Sequence, residues 1–550
     1  MDANDKIDDF RELKPLSCLW LVTEAQYLEL NDTLTPVRHV ISRFVLPSRM
    51  AVARYTLGYV EGFSDHYPFI HIPTLNLTTY NQSPELVLAI LAIGAQYRYE
   101  TRTARSLYQA SRSIILERLQ RGDLFPSTDS PARMQVCKSH MDQTRALLLL
   151  ATYCSWHSNA GLMQEFSDYQ SLIARSLRQS GLSEVTHQDT DNWGQWIEYE
   201  TDRRTKFFGW ILLSLQSLIC NNPPLLLTRE LNLRLPSSCQ EWVARTEAEW
   251  LTATSRSPSP LMFKQAHSMH IAVPSEEHPG SGASPFADYI LIHAVIQRIY
   301  MTHQISLDIH DQSLSSRDVE ALEQSLNRWR YTWCHSAESV LDLHNSYGSL
   351  SFTSTALLGV AHIRLHCSLG QWRDLQSGDA ATVAATLQQA PLPRRGPHLI
   401  YALLHSVHSL NIPVQVGISY LSRCKSFSWS VDHAICDLEC AAFLSKWLQG
   451  VAHSHETQPL SARETRVIRW IMRVVREALM SQDETMHLSH EINDYELRML
   501  TRTAKLLSYA VVKVCNSSWP MVGFIGQSLD RYAELLHGSL ADGGRHHEGS

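Results

Sequence analysis

The chain has 550 residues, of which 44% are hydrophobic and 19% are charged, and this composition excludes a wholly disordered polypeptide. Its formal charge of −7 excludes a molecule that is basic overall, which is the usual footprint of a nucleic-acid-binding chain. Glycine and proline number only 23 and 22, and this scarcity of helix breakers favours helices over a β architecture with many turns.

The first strong helical signals lie between residues 83 and 220. Ser83, Pro84 and Glu85 combine an N-cap residue, a proline at the first helical position and an acid in the first turn. The following LVLAILAIGAQY is apolar on every face, so it predicts a helix that is buried on all sides. The run ALLLLATYCSW predicts a second buried helix, and apolar stripes at helical spacing predict helices over 104–118, 162–177 and 195–220.

The composition changes between residues 252 and 285, where serine, proline and glycine are frequent and no helical period is present. This segment is predicted to be a long surface loop, and Pro391–Pro397 a shorter one. Alternating strand patterns are nearly absent, so the predicted fold class is all-α, with many helices and long surface loops. Helices are predicted to resume at 285–305, 316–336, 352–372, 399–422, 430–450, 461–481, 493–513 and 521–537.

The chain is predicted to divide into five segments. A short N-terminal segment covers residues 1–39, and a core follows at 40–251. The loop at 252–285 leads to a C-terminal helical part of the same body at 286–535 and to a disordered tail at 536–550. No apolar run reaches the roughly 18 residues of a membrane span, the N-terminus does not resemble a secretory signal, and eleven cysteines are too few for a disulfide scaffold. A soluble, intracellular and reduced protein is therefore expected.

Metal ligands occur only in incomplete patterns. No two cysteines have the C-x-x-C spacing, which excludes a six-cysteine binuclear zinc cluster. Cys436, Cys440, His453 and His455 approach a two-Cys, two-His finger, but the histidines are separated by one residue where three to five are needed. Phosphate-binding loops and nucleophile elbows are also missing, so no catalytic, cofactor-binding or metal site is predicted. Weaker ligand candidates are Cys137 with His140, Cys154 with His157, and His362 with His366.

Basic residues are densest in two short clusters. The first is Arg203-Arg204-Thr-Lys206, which follows Glu198, Glu200 and Asp202; the second is Arg394-Arg395. Neither has the pattern of a DNA-recognition helix. Because acids lie next to the first cluster at helical spacing, a local ion-pair network or a solvated face is predicted instead of phosphate contact.

Several segments in a fixed order resemble the fungal-specific transcription factor domain, the middle homology region of fungal regulators. FSDHYPFIHIPT, which contains Pro68, Phe69, His71, Pro73 and Thr74, resembles the opening of that family. The resemblance covers about 40–250 and continues weakly towards 530, in the branch that usually carries two-Cys, two-His fingers. Its other matching segments are Leu88–Tyr97, Arg105–Ala110, Asp142–Ser158, Glu200-x2-Arg203-Arg204 with Phe207-Phe208, Asn222-Pro223-Pro224, Leu235-Pro236, Trp242 and Trp250.

The resemblance implies a nuclear transcriptional regulator with no enzymatic activity and no cofactor. Control of a metabolic or secondary-metabolite gene cluster is expected from the family. The first 40 residues hold one cysteine, so direct DNA contact is expected to be weak or indirect. The expected partners are other transcription regulators or coregulators, among them a DNA-binding paralogue, with no membrane association and with homo-oligomerisation left open.

Two alternatives remain at this point. The chain could be an all-α enzyme or ligand-binding protein with an unrecognised pocket, or a truncated form of a zinc-finger protein. In the regulator hypothesis, the matching motifs are scaffold: His71 and Pro73 fix a turn, and Gly94 permits close helix packing. Phe69 is then expected to be buried against the apolar Leu86–Ala95 helix.

Overall fold

The computed structural model describes residues 22–123, 133–184, 192–271, 284–306, 314–342, 348–367, 369–417, 430–454, 457–480 and 518–545. Within these residues the fold is all-α, as predicted, and its only β features are isolated bridges. The α-helices of this part of the chain are α1 Glu24–Thr33, α2 Arg49–Tyr59, α3 Pro84–Tyr97, α4 Thr101–Arg121, α5 Arg133–Ser155, α6 Ala160–Gln179, α7 Trp193–Cys220, α8 Cys239–Trp242, α9 Glu247–Thr254, α10 Phe263–Ile271, α11 Pro285–Ser306, α12 Ser316–His335, α13 Gly348–His366, α14 Ala380–Gln389, α15 Ile400–Val416, α16 Val431–Ser454, α17 Ala462–Met480 and α18 Pro520–Arg545.

Two nearly all-buried helices organise the core. Helix α3 is buried from Pro84 to Gln96 and packs against α2, α4 and α5. Helix α16 is buried along most of its length and packs against α13, α15 and α18. One hydrophobic cluster contains both helices and extends from Leu30 to Leu536. The described helices before residue 252 and those after residue 285 therefore share a single core.

Local sequence signals explain where the helices begin and end. The Asn192 side chain accepts a hydrogen bond at the start of α7, and Asn221 ends that helix in the left-handed conformation, just before Pro223. Gly122 has a φ of 80° and ends α4 in the same way. No helix of the described residues is long and apolar enough to cross a bilayer.

Two segments that were predicted to be irregular contain helices. Helix α10 lies inside the segment predicted as a loop, because Phe263 and Ala266 form an apolar face that is buried in the core. Helix α18 continues to Arg545 through most of the predicted tail, since backbone hydrogen bonding extends it past Gly543 and Gly544. Helix α1, within the predicted N-terminal segment, places Leu30 in the core.

Other predictions have mixed outcomes. Pro391–Pro397 is irregular up to its last residue, as expected. The short helix α14 was not predicted, although Val383, Ala384 and Leu387 are buried on one face of it. The predicted helix at 493–513 lies outside the described residues. The five-segment division is otherwise untested and stays a prediction.

Helices α2 and α3 cross at unusually close range. A Cβ atom at Gly94 would lie 1.8 Å from the carbonyl oxygen of Tyr55, and one at Gly58 would lie 2.4 Å from the carbonyl oxygen of Gly94. Both obstacles are backbone atoms, which cannot rotate away. Glycine is therefore required at this crossing, which confirms the prediction that Gly94 permits close packing.

We expect Gly94→Ala to lower the free energy of unfolding by about 1–3 kcal/mol, because the added methyl group must push two backbones apart. Urea denaturation of the purified chain measures the change. Gly523→Ala in α18 is the control, since a Cβ atom there meets nothing within 4 Å. Its stability should be unchanged or raised by up to about 1 kcal/mol. Equal stability of the two variants would contradict the expectation.

Candidate functional site

Phe69, the central aromatic residue of the family-like opening, is completely buried. Its ring stacks on Phe208 of α7 with a centroid distance of 4.4 Å, and it meets Phe63 edge-on at 6.1 Å. Phe63 also contacts the ring of Trp156 at the end of α5. The expected burial of Phe69 is confirmed, its ring partners are Phe208 of α7 and Phe63, and packing against the Leu86–Ala95 helix stays a prediction.

The acidic and basic residues of α7 form a buried ion network next to these rings. Glu200 is inaccessible to solvent, and its carboxylate accepts hydrogen bonds from Arg203, from Arg204 at 2.7 Å and from the backbone N–H of Ser237 at 2.9 Å. Burial by itself raises the pKa of Glu200, but the two guanidinium groups and these hydrogen bonds hold it below the usual value. The carboxylate is therefore ionised in the folded protein.

Arg204 ties three separate parts of the chain together. Its guanidinium donates to the carbonyl oxygens of Ser237 at 3.0 Å and of Pro68 at 3.4 Å. The same group lies 4.0 Å from the ring centroid of Trp242, a cation–π contact. Only 2% of the Arg204 side chain is exposed, so it cannot reach a phosphate. We call this cluster of Glu200, Arg203, Arg204, Ser237 and Trp242 the Glu200 network.

Arg203, Lys206 and His71 make further contacts around the Glu200 network. Arg203 also binds Glu184 at 2.9 Å, and Lys206 donates to the carbonyl oxygen of Ser180. His71 contacts Thr74 through its Nδ1 atom at 2.7 Å and meets the Trp242 ring edge-on. The predicted ion-pair network is confirmed.

A second buried network lies at the other end of α7. The Glu439 carboxylate on α16 binds Arg364 and Arg373, and both guanidinium groups donate to the carbonyl oxygen of Leu218, at 2.8 and 2.6 Å. Burial lowers the pKa of Arg373 to about 10, so it keeps its charge at neutral pH. We call these residues the Glu439 network. The sequence analysis missed it because its members are far apart in the chain.

The residues weighed as zinc ligands do not converge. Cys436 and Cys440 are buried on α16, whereas His453 is exposed and its Nδ1 atom contacts the carbonyl oxygen of Gln449. Cys154 contacts the Tyr108 hydroxyl, and the Nδ1 atom of His157 contacts the carbonyl oxygen of Tyr153. His455 and the side chain of Cys137 lie outside the described residues. Within the described part of the chain, no group of three or more His, Cys, Asp or Glu side chains could hold a metal ion. The absence of zinc from the whole protein stays a prediction.

A small cavity beside the C-terminal half of α7 is a candidate site for an internal ligand. Its lining includes Ser214, His293, Gln297, Tyr300 and Arg364, and its volume is about 10 Å³. This volume holds a single water molecule at most. The cavity therefore offers no space for a metabolite.

Two regions of the chain match known protein families. Residues 58–331 match the fungal specific transcription factor domain, and residues 368–531 match the fungal transcription factor C-terminal domain. The chain belongs to the fungal-specific transcription factor domain family. It is thus related to transcriptional regulators of fungi. Neither curated proteins nor solved structures give a match.

The family match gives the two buried networks a common context. The Glu200 network lies wholly within the first matched region, and Arg373 and Glu439 lie within the second. Helix α7 contacts both groups of residues through its two ends. The family-like motif thus forms an internal scaffold, in which Glu200 and Arg204 are buried and paired with each other.

Phe69→Ala should lower the free energy of unfolding by about 3–5 kcal/mol, because it removes a completely buried and stacked ring. Phe69→Leu should cost less, since it keeps most of the apolar volume. Tyr199→Ala is the control, because Tyr199 is 43% exposed, and it should change stability by less than about 0.5 kcal/mol. Chemical denaturation gives all three values. If Phe69→Ala keeps its stability but loses regulatory output, the residue acts directly and not as scaffold.

Glu200→Gln should cost about 3–5 kcal/mol, because it leaves the buried Arg204 guanidinium without a carboxylate and removes one of the two carboxylates that bind Arg203. The matched control is Glu184→Gln, which removes a carboxylate that is 25% exposed, pairs with Arg203 and accepts a hydrogen bond from the backbone N–H of Arg234. That change should cost less than about 1 kcal/mol. Urea denaturation at neutral pH compares the variants. Equal costs would show that Glu200 is not the centre of the network.

Buried histidines predict a loss of stability in acid. Burial lowers the pKa of His293 to about 3, whereas an imidazole in the unfolded chain has a pKa of about 6.5. Below that value the unfolded state binds a proton that the folded state does not, so stability falls as the pH is lowered towards 4. At pH 5 the contribution of His293 is about 2 kcal/mol.

The variant His293→Phe isolates this contribution, because it keeps a ring beside Tyr289 and the Nε2 atom that it removes has no hydrogen-bond partner. The difference in unfolding free energy between pH 7.5 and pH 5.0 should change by about 2 kcal/mol relative to the unmodified chain. Comparing the two proteins cancels opposing groups such as Glu85, whose pKa is raised to about 7 by burial. An unchanged difference would show that His293 is protonated in the fold.

Proposed function

We propose that this chain regulates transcription in the nucleus through protein partners, including a DNA-binding regulator. The observation that carries the proposal is the tandem match to the two fungal transcription factor domains, whose residues share a single hydrophobic core. Control of a metabolic or secondary-metabolite gene cluster is the finer part of the proposal and comes from the family alone.

Most arginines of the two dense basic clusters are paired with carboxylates inside the protein, which supports action through partners. DNA affinity depends on basic side chains that neutralise phosphates. Arg203 forms ion pairs with Glu184 and Glu200, and Arg204 with Glu200. The side chain of Arg395 is nearly buried and binds Glu464 at 3.0 Å. The chain as a whole carries a net charge of −7. Direct binding to DNA is therefore expected to be weak.

A tethering experiment tests the proposal. The whole chain is fused to an unrelated DNA-binding domain and recruited to a reporter gene in yeast nuclei. We expect reporter output to change several-fold, in either direction, relative to the DNA-binding domain alone. The untethered chain, at the same nuclear abundance, should leave this reporter unchanged. No change with the tethered chain at matched abundance would refute the proposed function.

Fluorescence anisotropy with a labelled DNA duplex tests the expectation about direct contact. The purified chain should bind the duplex weakly and with a shallow dependence on salt, because few phosphates are neutralised. Nanomolar binding that falls steeply with salt would contradict indirect action. The same chain would then be a DNA-binding protein in its own right.

A further inference from the structure

Helix α17, Ala462–Met480, has one apolar face and one strongly basic face. Val467, Ile471, Val474 and Ala478 are buried and pack the helix onto the core. Its basic residues are all arginines, and every one of them is exposed. We define the arginine face by these residues: Arg463, Arg466, Arg469, Arg473 and Arg476.

The spacing of three or four residues places the five side chains on one side of the helix. At about 1.5 Å of rise per residue, the face extends over about 20 Å. This pattern is inconspicuous in the sequence, because no two of these arginines are adjacent. The clusters at 203–206 and 394–395 are more conspicuous in the sequence, but Arg203, Arg204 and Arg395 are paired with carboxylates within the fold.

The arginine face carries more positive charge than its helix neutralises: Glu477, an exposed acid four residues after Arg473, forms no ion pair within the described part of the chain. None of the five arginines forms an ion pair there, in contrast to Arg203, Arg204 and Arg395. Glu464, an acid of the same helix, is committed to Arg395 and to the Ser461 cap. Like charges three or four residues apart on a helix repel each other. An anionic partner would remove this repulsion.

We propose that the arginine face binds an acidic segment of a partner protein. A guanidinium group presents a planar fork of donors that matches a carboxylate in two parallel hydrogen bonds, and the face contains arginine without lysine. A length of about 20 Å accommodates a helical segment of about 13 residues. The inference gives the proposed partner-mediated function a location and rests on that function for its biological meaning.

An acidic polypeptide fits the face better than a DNA duplex. The net charge of −7 on the chain opposes the approach of a large polyanion, whereas a short peptide interacts mainly with the local surface. One straight face on one helix also reaches few phosphates. We therefore propose an acidic polypeptide as the ligand of the arginine face, and binding of DNA to this face is one of the results that the test below distinguishes.

The test uses the purified full chain and a fluorescein-labelled oligoglutamate peptide of about 15 residues, followed by anisotropy over a salt series. The peptide should bind, and its affinity should fall as salt screens the charges. The triple variant Arg466→Gln, Arg469→Gln and Arg473→Gln should weaken binding about tenfold. The triple variant with lysine at the same positions should retain part of the affinity, because the charge remains while the fork is lost.

The control is a charge-matched triple variant on other surfaces: Arg102→Gln, Arg105→Gln and Arg317→Gln, all at exposed positions. It should bind the peptide as the unmodified chain does, and circular dichroism melts should show that all variants fold. Equal loss in both glutamine variants, or no peptide binding at all, would overturn the proposal. Tighter binding of a DNA duplex through the same three arginines would also overturn it, in favour of a nucleic-acid surface. The measurement needs no reporter gene, so its failure is distinguishable from failure of the proposed function.

Discussion

The buried charge of Glu200 is the constraint on which the rest of the first matched region depends. A carboxylate without solvent access must be compensated, and here two arginines and a backbone N–H group do so. Replacing such a set by apolar residues is often neutral for stability, but breaking it by removing one member is costly. The network therefore fixes the positions of Pro68 and Ser237 relative to α7, because Arg204 can satisfy its hydrogen bonds only where both residues lie next to that helix.

The Glu439 network applies the same constraint at the opposite end of α7. The carbonyl oxygen of Leu218 lies in the last turn, where the negative end of the helix dipole favours cations. Arg364 and Arg373 supply two positive charges, and Glu439 compensates one of them. Helix α7 is thus held by charged contacts at both ends and by aromatic contacts such as Phe208 with Phe69 between them. These contacts account for why the family-like motif is internal.

The sequence predicted what depends on local spacing. The all-apolar α3, the glycine at its crossing with α2 and the pairing of Glu200 with arginines three and four residues later all follow from helical periodicity. The Glu439 network was beyond prediction because Arg364 and Glu439 are 75 positions apart and nothing in the sequence signals their contact. Helix α10 was missed because one short apolar face, around Phe263, lies within a segment whose composition is typical of loops. The arginine face was missed for a different reason, since its charges are neighbours on the helix and not in the sequence.

The contrast between buried and exposed arginines links the scaffold to the function. Arginines that hold the fold together are paired with carboxylates, so their charge is not available to another molecule. The arginines of α17 project from a helix whose apolar face is already packed, so their removal leaves the core intact. Contacts between exposed charges are individually weak and sensitive to salt. A surface of this kind favours reversible association, which the proposed action through partners requires, while the buried networks keep the surface in one position.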